Sequence, residues 1–208
     1  TQDLGAFTDN VFKQLVLLLG VGYLIADIDY QAVVSFLFAL PFLLFSGLAG
    51  DISDRFSKGR MMVSCKVAEN FIALLGVGGF LMVSSAQADT ASAPLYLWLL
   101  AGVVFLLGTQ SAFFGPPKYG GLPELVRPGD LPTATGLTQM TTFLAIIFGV
   151  SLAGYLADIF ADRIYVAGLV TVSIAVLGTL VSLGIKRNPP TDPGRVISAH
   201  SFTSILRT

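Results

Sequence analysis

Three polar residues that are capable of chemistry lie in the first apolar stretch of the chain: Asp9, Asn10 and Lys13. Asp9 precedes Lys13 by four residues, the order that favours an ion pair along one helix face. If Asp9 only capped a membrane helix, about 16 residues would remain up to Ala26, whereas a crossing needs roughly 20. We therefore favour a helix that begins near Leu4, with Asp9 and Asn10 facing the protein interior as functional candidates.

A second polar group lies within the third apolar stretch. Lys66, Glu69 and Asn70 are three and four residues apart and share one helical face. Two interpretations stay open: a self-neutralised pair that joins helices, or part of a functional site. In both, the face must point away from lipid, because ionisable groups are costly there.

Lys118 follows a strong helix breaker, Gly115-Pro116-Pro117. Because proline lacks an amide hydrogen and obstructs the preceding turn, this run predicts that the helix ends there. The Lys118 stem can lie along apolar side chains while its ammonium reaches polar surroundings. That ammonium is suited either to a substrate phosphate or to the lipid headgroups.

A short polar connection between the second and third stretches contains Gly50, Asp54, Arg55 and Lys58. Gly50 allows a neighbouring backbone to come close. Asp54 is suited to accept hydrogen bonds from the N-terminus of an adjacent helix, where the dipole favours an anion. The bases suit the headgroup layer. We interpret these four residues as a gating motif, with an ordinary basic loop as the alternative.

The composition indicates the elements that must position these residues. Of the 208 residues, 54% are hydrophobic and only 12% are charged, about half the share in an average soluble domain. An integral membrane protein is expected, and a soluble enzyme is excluded.

The near balance of 12 basic and 13 acidic residues argues against nucleic-acid binding. With one cysteine, Cys65, and one histidine, His200, we expect neither a disulfide nor a metal or other cofactor.

Six stretches are long and apolar enough to cross a membrane. The sequence therefore predicts an all-α integral membrane protein, a bundle of six transmembrane helices over residues 1–187. A breaker cluster and a weakly amphipathic segment follow, predicting a cytoplasmic linker over residues 188–208. Without an initiator methionine, the chain is expected to be part of a longer protein. The predicted spans are 4–26, 32–51, 61–85, 95–114, 133–157 and 164–185, and the fifth has a small-residue ladder for close packing, Ala145, Gly149, Ala153 and Ala157.

The distribution of basic residues predicts the orientation. Nine Lys and Arg residues fall on one side of the predicted membrane, in the loops after spans two and four and in the tail, against Arg163 alone on the other. Because basic loops stay in the cytoplasm, both chain ends are expected inside. The segments Asp27–Gln31, Ala86–Pro94 and Asp158–Arg163 are then expected outside.

Together these motifs resemble the N-terminal half of the major facilitator superfamily, and within it the lysophospholipid transporter family. The Gly50-xxx-Asp54-Arg55-xx-Lys58 segment is similar to the superfamily signature between helices two and three. More specific are four other segments: Gly5-Ala6-Phe7-x-Asp9-Asn10-x-Phe12-Lys13, Phe114-Gly115-Pro116-x-Lys118-Tyr119-Gly120, Leu122-Pro123-Glu124-Leu125 and Thr142-Phe143-Leu144-Ala145-Ile146-Ile147.

The resemblance implies inward flipping of lysophosphatidylethanolamine or a similar one-chain lipid across the inner membrane, by alternating access, for reacylation. It implies a missing C-terminal six-helix half, and an acyltransferase and acyl-carrier-protein synthetase as partners or fused domains. In this family Lys118 matches a basic position suited to phosphate, and Asp9 an acidic position suited to an amine. Asn10 belongs to the same site. Thr8 and Gly59 depart from the family pattern without removing a charge.

Other functions remain as alternatives. A drug-efflux pump or a solute symporter of the same superfamily fits the Gly50–Lys58 segment equally well. A membrane acyltransferase is disfavoured, because that chemistry needs a histidine and an aspartate five positions apart, and Ile205 stands five residues after His200. A half-size transporter that works as a homodimer is disfavoured by the linker-like tail. We therefore expect a transporter and not an enzyme.

Overall fold

Six long helices follow the six apolar stretches of the sequence. The computed structural model describes residues 2–21, 24–25, 28–85 and 93–184, so the predicted linker 188–208 lies outside the described residues. The predicted all-α bundle of six long helices is confirmed for the described part, with a one-turn helix α5 between the fourth and fifth. The helices are α1 Gln2–Leu19, α2 Tyr30–Arg55, α3 Lys58–Ser85, α4 Ala93–Gly120, α5 Leu122–Leu125, α6 Leu131–Ile159 and α7 Ile164–Ser182.

Five of these helices, α2, α3, α4, α6 and α7, are long and apolar enough to cross a membrane. α1 differs from them because it is only 18 residues long, so its three charged residues, Asp3, Asp9 and Lys13, interrupt its whole length. A helix with that many charges is stable at membrane depth only if its polar face is turned towards other helices. α1 is placed in this way, packed mainly against α6 and also against α7 and α4.

α1 ends at Leu19, earlier than the predicted limit at Ala26. Its last turn tightens, with the amide of Val21 bonded to the carbonyl of Leu18 at 3.3 Å. Gly20 then lies against the ring of Tyr30, where a side chain would collide. Two short antiparallel strands follow, β1 Leu24–Ile25 and β2 Ile28–Asp29, with Leu24 opposite Asp29 and Ile25 opposite Ile28. Because glycine is a poor helix former, Gly20 weakens the helix at this point, and the chain packs against Tyr30 and does not continue as a helix.

α4 lies at the centre of the described bundle. Over its most apolar stretch 56% of the residues are buried, compared with 17% for α2 and for α6. α4 packs extensively on α2 and on α3, and α3 also packs on α7. The side chains at the centre of the largest apolar cluster include Phe12 and Phe80, whose ring centroids are 5.0 Å apart.

Close backbone approaches connect the two best-packed helix pairs. Gly108 of α4 lies against the carbonyl of Phe38 on α2, and a Cβ on Gly149 of α6 would lie 2.8 Å from the carbonyl oxygen of Phe7 on α1. The close packing predicted for the small-residue ladder is therefore confirmed at Gly149 and at Ala153, which is fully buried. Small residues at such crossings let helices approach closely without a side chain between them.

α4 continues through the Gly-Pro-Pro run, contrary to the prediction that this run ends the helix. Both prolines lie within the helix, which closes at Gly120, and the amide of Gly121 bonds to the carbonyl of Pro117 at 3.1 Å. A proline removes only its own amide hydrogen bond and obstructs one carbonyl, so a helix held by packing can contain it near its end. As a result Lys118 belongs to the last turn of α4 and not to a loop.

The connection between α2 and α3 is shorter than the sequence predicted. α2 runs to Arg55 and α3 begins at Lys58, so only Phe56 and Ser57 lie between them. The close backbone approach expected at Gly50 is not found, because beyond its own stretch of helix no described atom lies within 4 Å of the place where its Cβ would stand. α2 makes its close approach at the face of Phe38 instead, which leaves Gly50 on an open face of the described bundle.

Candidate functional site

A cavity of about 280 Å³ opens between α1, α2, α4 and α6, with a side chain of α3 in its wall. Its apolar lining includes Phe38, Phe42, Phe114 and Ile146. The volume is at the lower end of small-molecule sites, which suits a headgroup better than a whole lipid. The charged and polar lining includes Asp9, Asn10, Lys66, Gln110, Ser111 and Lys118.

Asp9 is buried in this cavity and is only half satisfied. Its side chain is 5% exposed, and its Oδ2 accepts a hydrogen bond from the Ser111 hydroxyl of α4. Its Oδ1 has no hydrogen-bond partner among the described residues. A buried carboxylate oxygen without a donor is energetically costly, so this atom is suited to receive a cationic or hydroxyl group of a ligand.

Asn10 and Lys13 use their polar atoms differently from Asp9. Asn10 lines the cavity, but its amide nitrogen donates to the carbonyl of Ala6 one turn earlier, at 2.7 Å. The Lys13 ammonium lies over the ring of Phe38, 4.7 Å from its centroid. The sequence spacing favours an ion pair between Asp9 and Lys13. Asp9 Oδ1 receives no hydrogen bond from the described residues, so the pair is not formed through that oxygen. The interior placement predicted for Asp9 and Asn10 is confirmed.

Lys118 brings a positive charge to the same cavity. Its side chain is buried, at 6% exposure, and its Nζ donates to the hydroxyl of Thr142 on α6 at 2.8 Å. The Thr142 hydroxyl donates in turn to the carbonyl of Thr138, at 2.7 Å. The ammonium also lies 5.2 Å from the centroid of the Tyr119 ring. Lys118 thus has a neutral hydrogen-bond partner, and the carboxylate of Asp3 lies 3.3 Å from the hydroxyl of that partner.

Lys66 and Glu69 form an ion pair at 2.6 Å, and both side chains are 1% exposed. Lys66 lines the cavity, whereas Glu69 is not among the lining residues and accepts a second hydrogen bond from Thr8 of α1 at 2.5 Å. Asn70 points elsewhere, donating to Thr179 of α7 at 2.8 Å. The inward placement predicted for this face is confirmed: Lys66 faces the cavity, Glu69 bonds to α1 and Asn70 bonds to α7.

The four residues of the predicted gating motif lie at the ends of α2 and α3. The Lys58 ammonium donates to the carbonyl of Gly120 at 2.9 Å, two residues beyond Lys118. The Arg55 guanidinium lies 5.9 Å from the centroid of the Phe56 ring. Lys58 therefore connects the α2–α3 junction to the last turn of α4, which carries a wall of the cavity.

The sequence interpretation did not single out two site residues, Ser111 and Thr142. Ser111, Gly115 and Lys118 are four and three residues apart, so they share one face of a continuous helix. Because the Gly-Pro-Pro run predicts a helix end before Lys118, this shared face is not apparent from the sequence. Thr142 begins one of the segments on which the family resemblance rests, but nothing in its spacing indicates a site residue, since a threonine in an apolar helix commonly bonds only to its own backbone.

Comparison with known proteins adds a second line of evidence. The family model described as Major Facilitator Superfamily matches residues 5–208. A protein of Klebsiella pneumoniae subsp. pneumoniae named lysophospholipid transporter LplT is 32% identical over 214 residues, which cover 100% of this chain and 48% of the relative. A protein of Citrobacter koseri with the same name is 32% identical over 197 residues, or 93% of this chain and 43% of the relative. No solved structure gives a significant match.

Proposed function

Because the chain belongs to the major facilitator superfamily, we propose that it is half of a transporter that flips lysophospholipids, such as lysophosphatidylethanolamine, across the membrane. The chain spans about half the length of the curated relatives it matches. A second six-helix half completes the substrate path in this proposal. The similarity to proteins named lysophospholipid transporter supports the substrate class.

One observation within the molecule carries the proposal. The same cavity holds Asp9, with a carboxylate oxygen that lacks a partner among the described residues, and Lys118, with a buried ammonium. The phosphate and amine of a zwitterionic headgroup match these two charges, Lys118 taking the phosphate and Asp9 the amine. Asn10 lies beside Asp9 in the lining. The aromatic walls, which include Phe114, accept the apolar part of the same molecule.

The chain is a multi-pass membrane protein, and we place it in the inner membrane with both ends in the cytoplasm. The excess of Lys and Arg on one side supports this orientation. Although Lys118 is buried in the bundle, the remaining loop and tail bases still outnumber Arg163. Lysolipid delivered to the inner leaflet is a substrate for reacylation, so we also propose an acyltransferase with an acyl-carrier-protein synthetase as the functional partner.

Transport then proceeds by rocking of the two halves about the central site. Gly50, Asp54, Arg55 and Lys58 would serve as a cytoplasmic latch, with Asp54 binding the missing half in one of the two states. The bond from Lys58 to Gly120 supports communication between this latch and the turn that holds Lys118.

Uptake of labelled lysophosphatidylethanolamine into spheroplasts tests the proposal, using cells that express the complete gene. Lys118→Ala should abolish most of the uptake, and Lys118→Arg should retain part of it, because a cation persists. Arg127→Ala is the matched control, since Arg127 is an exposed base beyond the cavity. If wild-type protein in the membrane gives no uptake, the lipid assignment is wrong, and a drug or solute transporter of the same superfamily becomes the hypothesis to screen.

A further inference from the structure

Lys66 has more hydrogen-bonding capacity than its ion pair uses. An ammonium group has three donors, and the described residues supply one acceptor to Lys66, the Oε2 of Glu69. Its side chain is 1% exposed, yet it is part of the cavity lining. A buried ammonium with unfilled donors at the wall of a cavity is suited to bind an anionic group there.

The surroundings of Lys66 keep its ammonium at the cavity wall. Gly5 of α1 lies directly against its Nζ, where any side chain at that position would collide with it. On the cavity side the ammonium lies 5.6 Å from the centroid of the Phe114 ring. On that side the ammonium therefore has an apolar neighbour, and the carboxylate of Asp9 lines the same cavity.

Glu69 is satisfied without any contribution from the cavity. Its Oε1 accepts from Thr8 and its Oε2 from Lys66. Lys66 therefore has a fixed counter-ion on the side away from the ligand space. The pair is neutral as a whole, so Lys66 can be held at membrane depth without a ligand and still present donors to one.

We propose that Lys66 is a second phosphate-binding cation, which acts with Lys118 on the phosphate of the headgroup; this rests on the proposed lysophospholipid function. A phosphodiester has two non-bridging oxygens that share its negative charge, and the site has two buried ammonium groups in the wall of one cavity. Glu69 and Thr8 are positioning residues, since they hold Lys66 and do not line the cavity with it. The alternative is a pair that only joins α1 to α3.

A double variant separates these two roles. Lys66→Met with Glu69→Met removes both charges while keeping the volume of the side chains. Replacing a buried ion pair by apolar side chains of similar volume often leaves the folding stability unchanged. Thr8 keeps a hydrogen-bond acceptor, since its hydroxyl also lies 2.8 Å from the carbonyl of Leu4. If the pair only joins helices, this variant should transport as the wild type does. If Lys66 binds phosphate, the KM for lysophosphatidylethanolamine should rise about tenfold or more with little change in maximal rate.

Four further measurements complete the test, in spheroplasts that express the complete gene. Lys66→Arg should keep most of the affinity, because it retains a cation. Lys13→Met removes a lysine that does not line the cavity and should leave the KM unchanged. Competition by monoacylglycerol, which lacks phosphate, should be equal in wild type and double variant. Inorganic phosphate should compete poorly in both, whereas strong competition by it would assign the site to free phosphate and overturn the lipid assignment.

The outcomes distinguish the two proposals. Wild-type uptake with an unchanged KM in the double variant overturns the role of Lys66 and leaves the lysophospholipid function standing. No wild-type uptake overturns both. A rise in KM confined to phosphate-bearing substrates, with affinity retained by Lys66→Arg, supports the phosphate-binding role.

Discussion

Lys118 of α4 and Thr142 of α6 are joined by a hydrogen bond of 2.8 Å between the ammonium and the threonine hydroxyl. The bond connects two helices at the wall of the cavity, and it gives a buried cation a neutral partner. A charged phosphate oxygen is a stronger acceptor than a hydroxyl. In the proposed site, therefore, Thr142 satisfies Lys118 while the cavity is empty, and phosphate replaces it when lipid binds.

The first prediction follows from this exchange. Thr142→Val should leave the buried ammonium without its acceptor, at a cost of about 1–3 kcal/mol in folding stability. Bound lysophosphatidylethanolamine should restore that loss, so the rise in Tm on adding lipid should be larger in the variant than in the wild type. Thermal unfolding of the purified protein in detergent measures both quantities.

Thr138→Val is the matched control for this prediction. Within the described part of the chain, the Thr138 hydroxyl bonds only to the carbonyl of Ala134 in its own helix, at 2.8 Å. Its removal should leave the lipid-dependent rise in Tm unchanged. Equal lipid-dependent rises in Thr142→Val and the wild type would show that Thr142 does not exchange with the ligand.

The second prediction concerns headgroup selectivity. Asp9→Asn removes the negative charge while keeping an oxygen for Ser111, so a headgroup amine loses its counter-ion. Uptake of lysophosphatidylethanolamine should fall about tenfold or more, because charged hydrogen bonds are worth roughly 1.5–3 kcal/mol. Uptake of lysophosphatidylglycerol, which has hydroxyls in place of the amine, should fall less. Side-by-side uptake of the two labelled lipids measures the ratio.

Asp130→Asn makes the same chemical change outside the cavity. Asp130 is exposed in the turn before α6 and makes no side-chain cap bond. Its variant should keep the wild-type ratio of the two lipids. An unchanged ratio in Asp9→Asn as well would contradict the assignment of Asp9 to the amine.

The sequence predicts the position of Asp9 in this site correctly and that of Lys118 incorrectly. Helix length predicts an interior position for Asp9, and Asp9 is buried, although α1 begins earlier and ends earlier than predicted. The charge pattern was a sufficient guide, because a carboxylate in an apolar stretch must turn inward wherever the helix ends. The position of Lys118 does not follow from the local sequence in the same way. The two prolines predict a loop there, whereas packing between helices keeps this segment helical.

Contacts between residues that are distant along the chain also could not be predicted from the sequence. Nothing local distinguishes Thr142, which bonds to Lys118, from Thr138, which bonds to its own helix. Likewise Gly50 has the expected signature spacing, but Gly108 makes the close approach to α2. Which glycine meets a neighbouring backbone depends on how helices cross, and spacing within one segment does not determine that crossing.

The third prediction tests the crossing of α1 and α6. Gly149→Ala would place a Cβ 2.8 Å from the carbonyl oxygen of Phe7, and backbone atoms cannot move aside as a flexible side chain can. We expect a loss of about 1–3 kcal/mol, the usual cost of overpacking. Thermal unfolding in detergent measures it.

Gly154→Ala on the same helix is the control, since beyond that stretch of helix no described atom lies within 4 Å of its added Cβ. Alanine is the better helix former by roughly 0.5–1 kcal/mol, so this variant should be neutral or slightly stabilised. A Gly149→Ala protein as stable as Gly154→Ala would mean that α1 and α6 do not cross this closely.

The fourth prediction concerns the proposed cytoplasmic latch. Asp54 lies on the last turn of α2, beside the junction at which Lys58 bonds to Gly120. If Asp54 holds the missing half in one state, Asp54→Asn should weaken that state and shift the population by about fivefold or more. A thiol introduced by Tyr119→Cys, in a Cys65→Ser background, reports access because Tyr119 lines the cavity and is 37% exposed.

Cytoplasm-side labelling of that thiol in inverted vesicles should become faster in Asp54→Asn, since the latch closes the cytoplasmic face. Asp162→Asn is the matched control, because Asp162 is an exposed acid in the turn before α7, on the face opposite to the latch in the proposed orientation. It should leave the labelling rate unchanged. Equal rates in Asp54→Asn and the wild type would refute the latch while leaving the headgroup site untouched, because Asp54 is not among the residues that line the cavity.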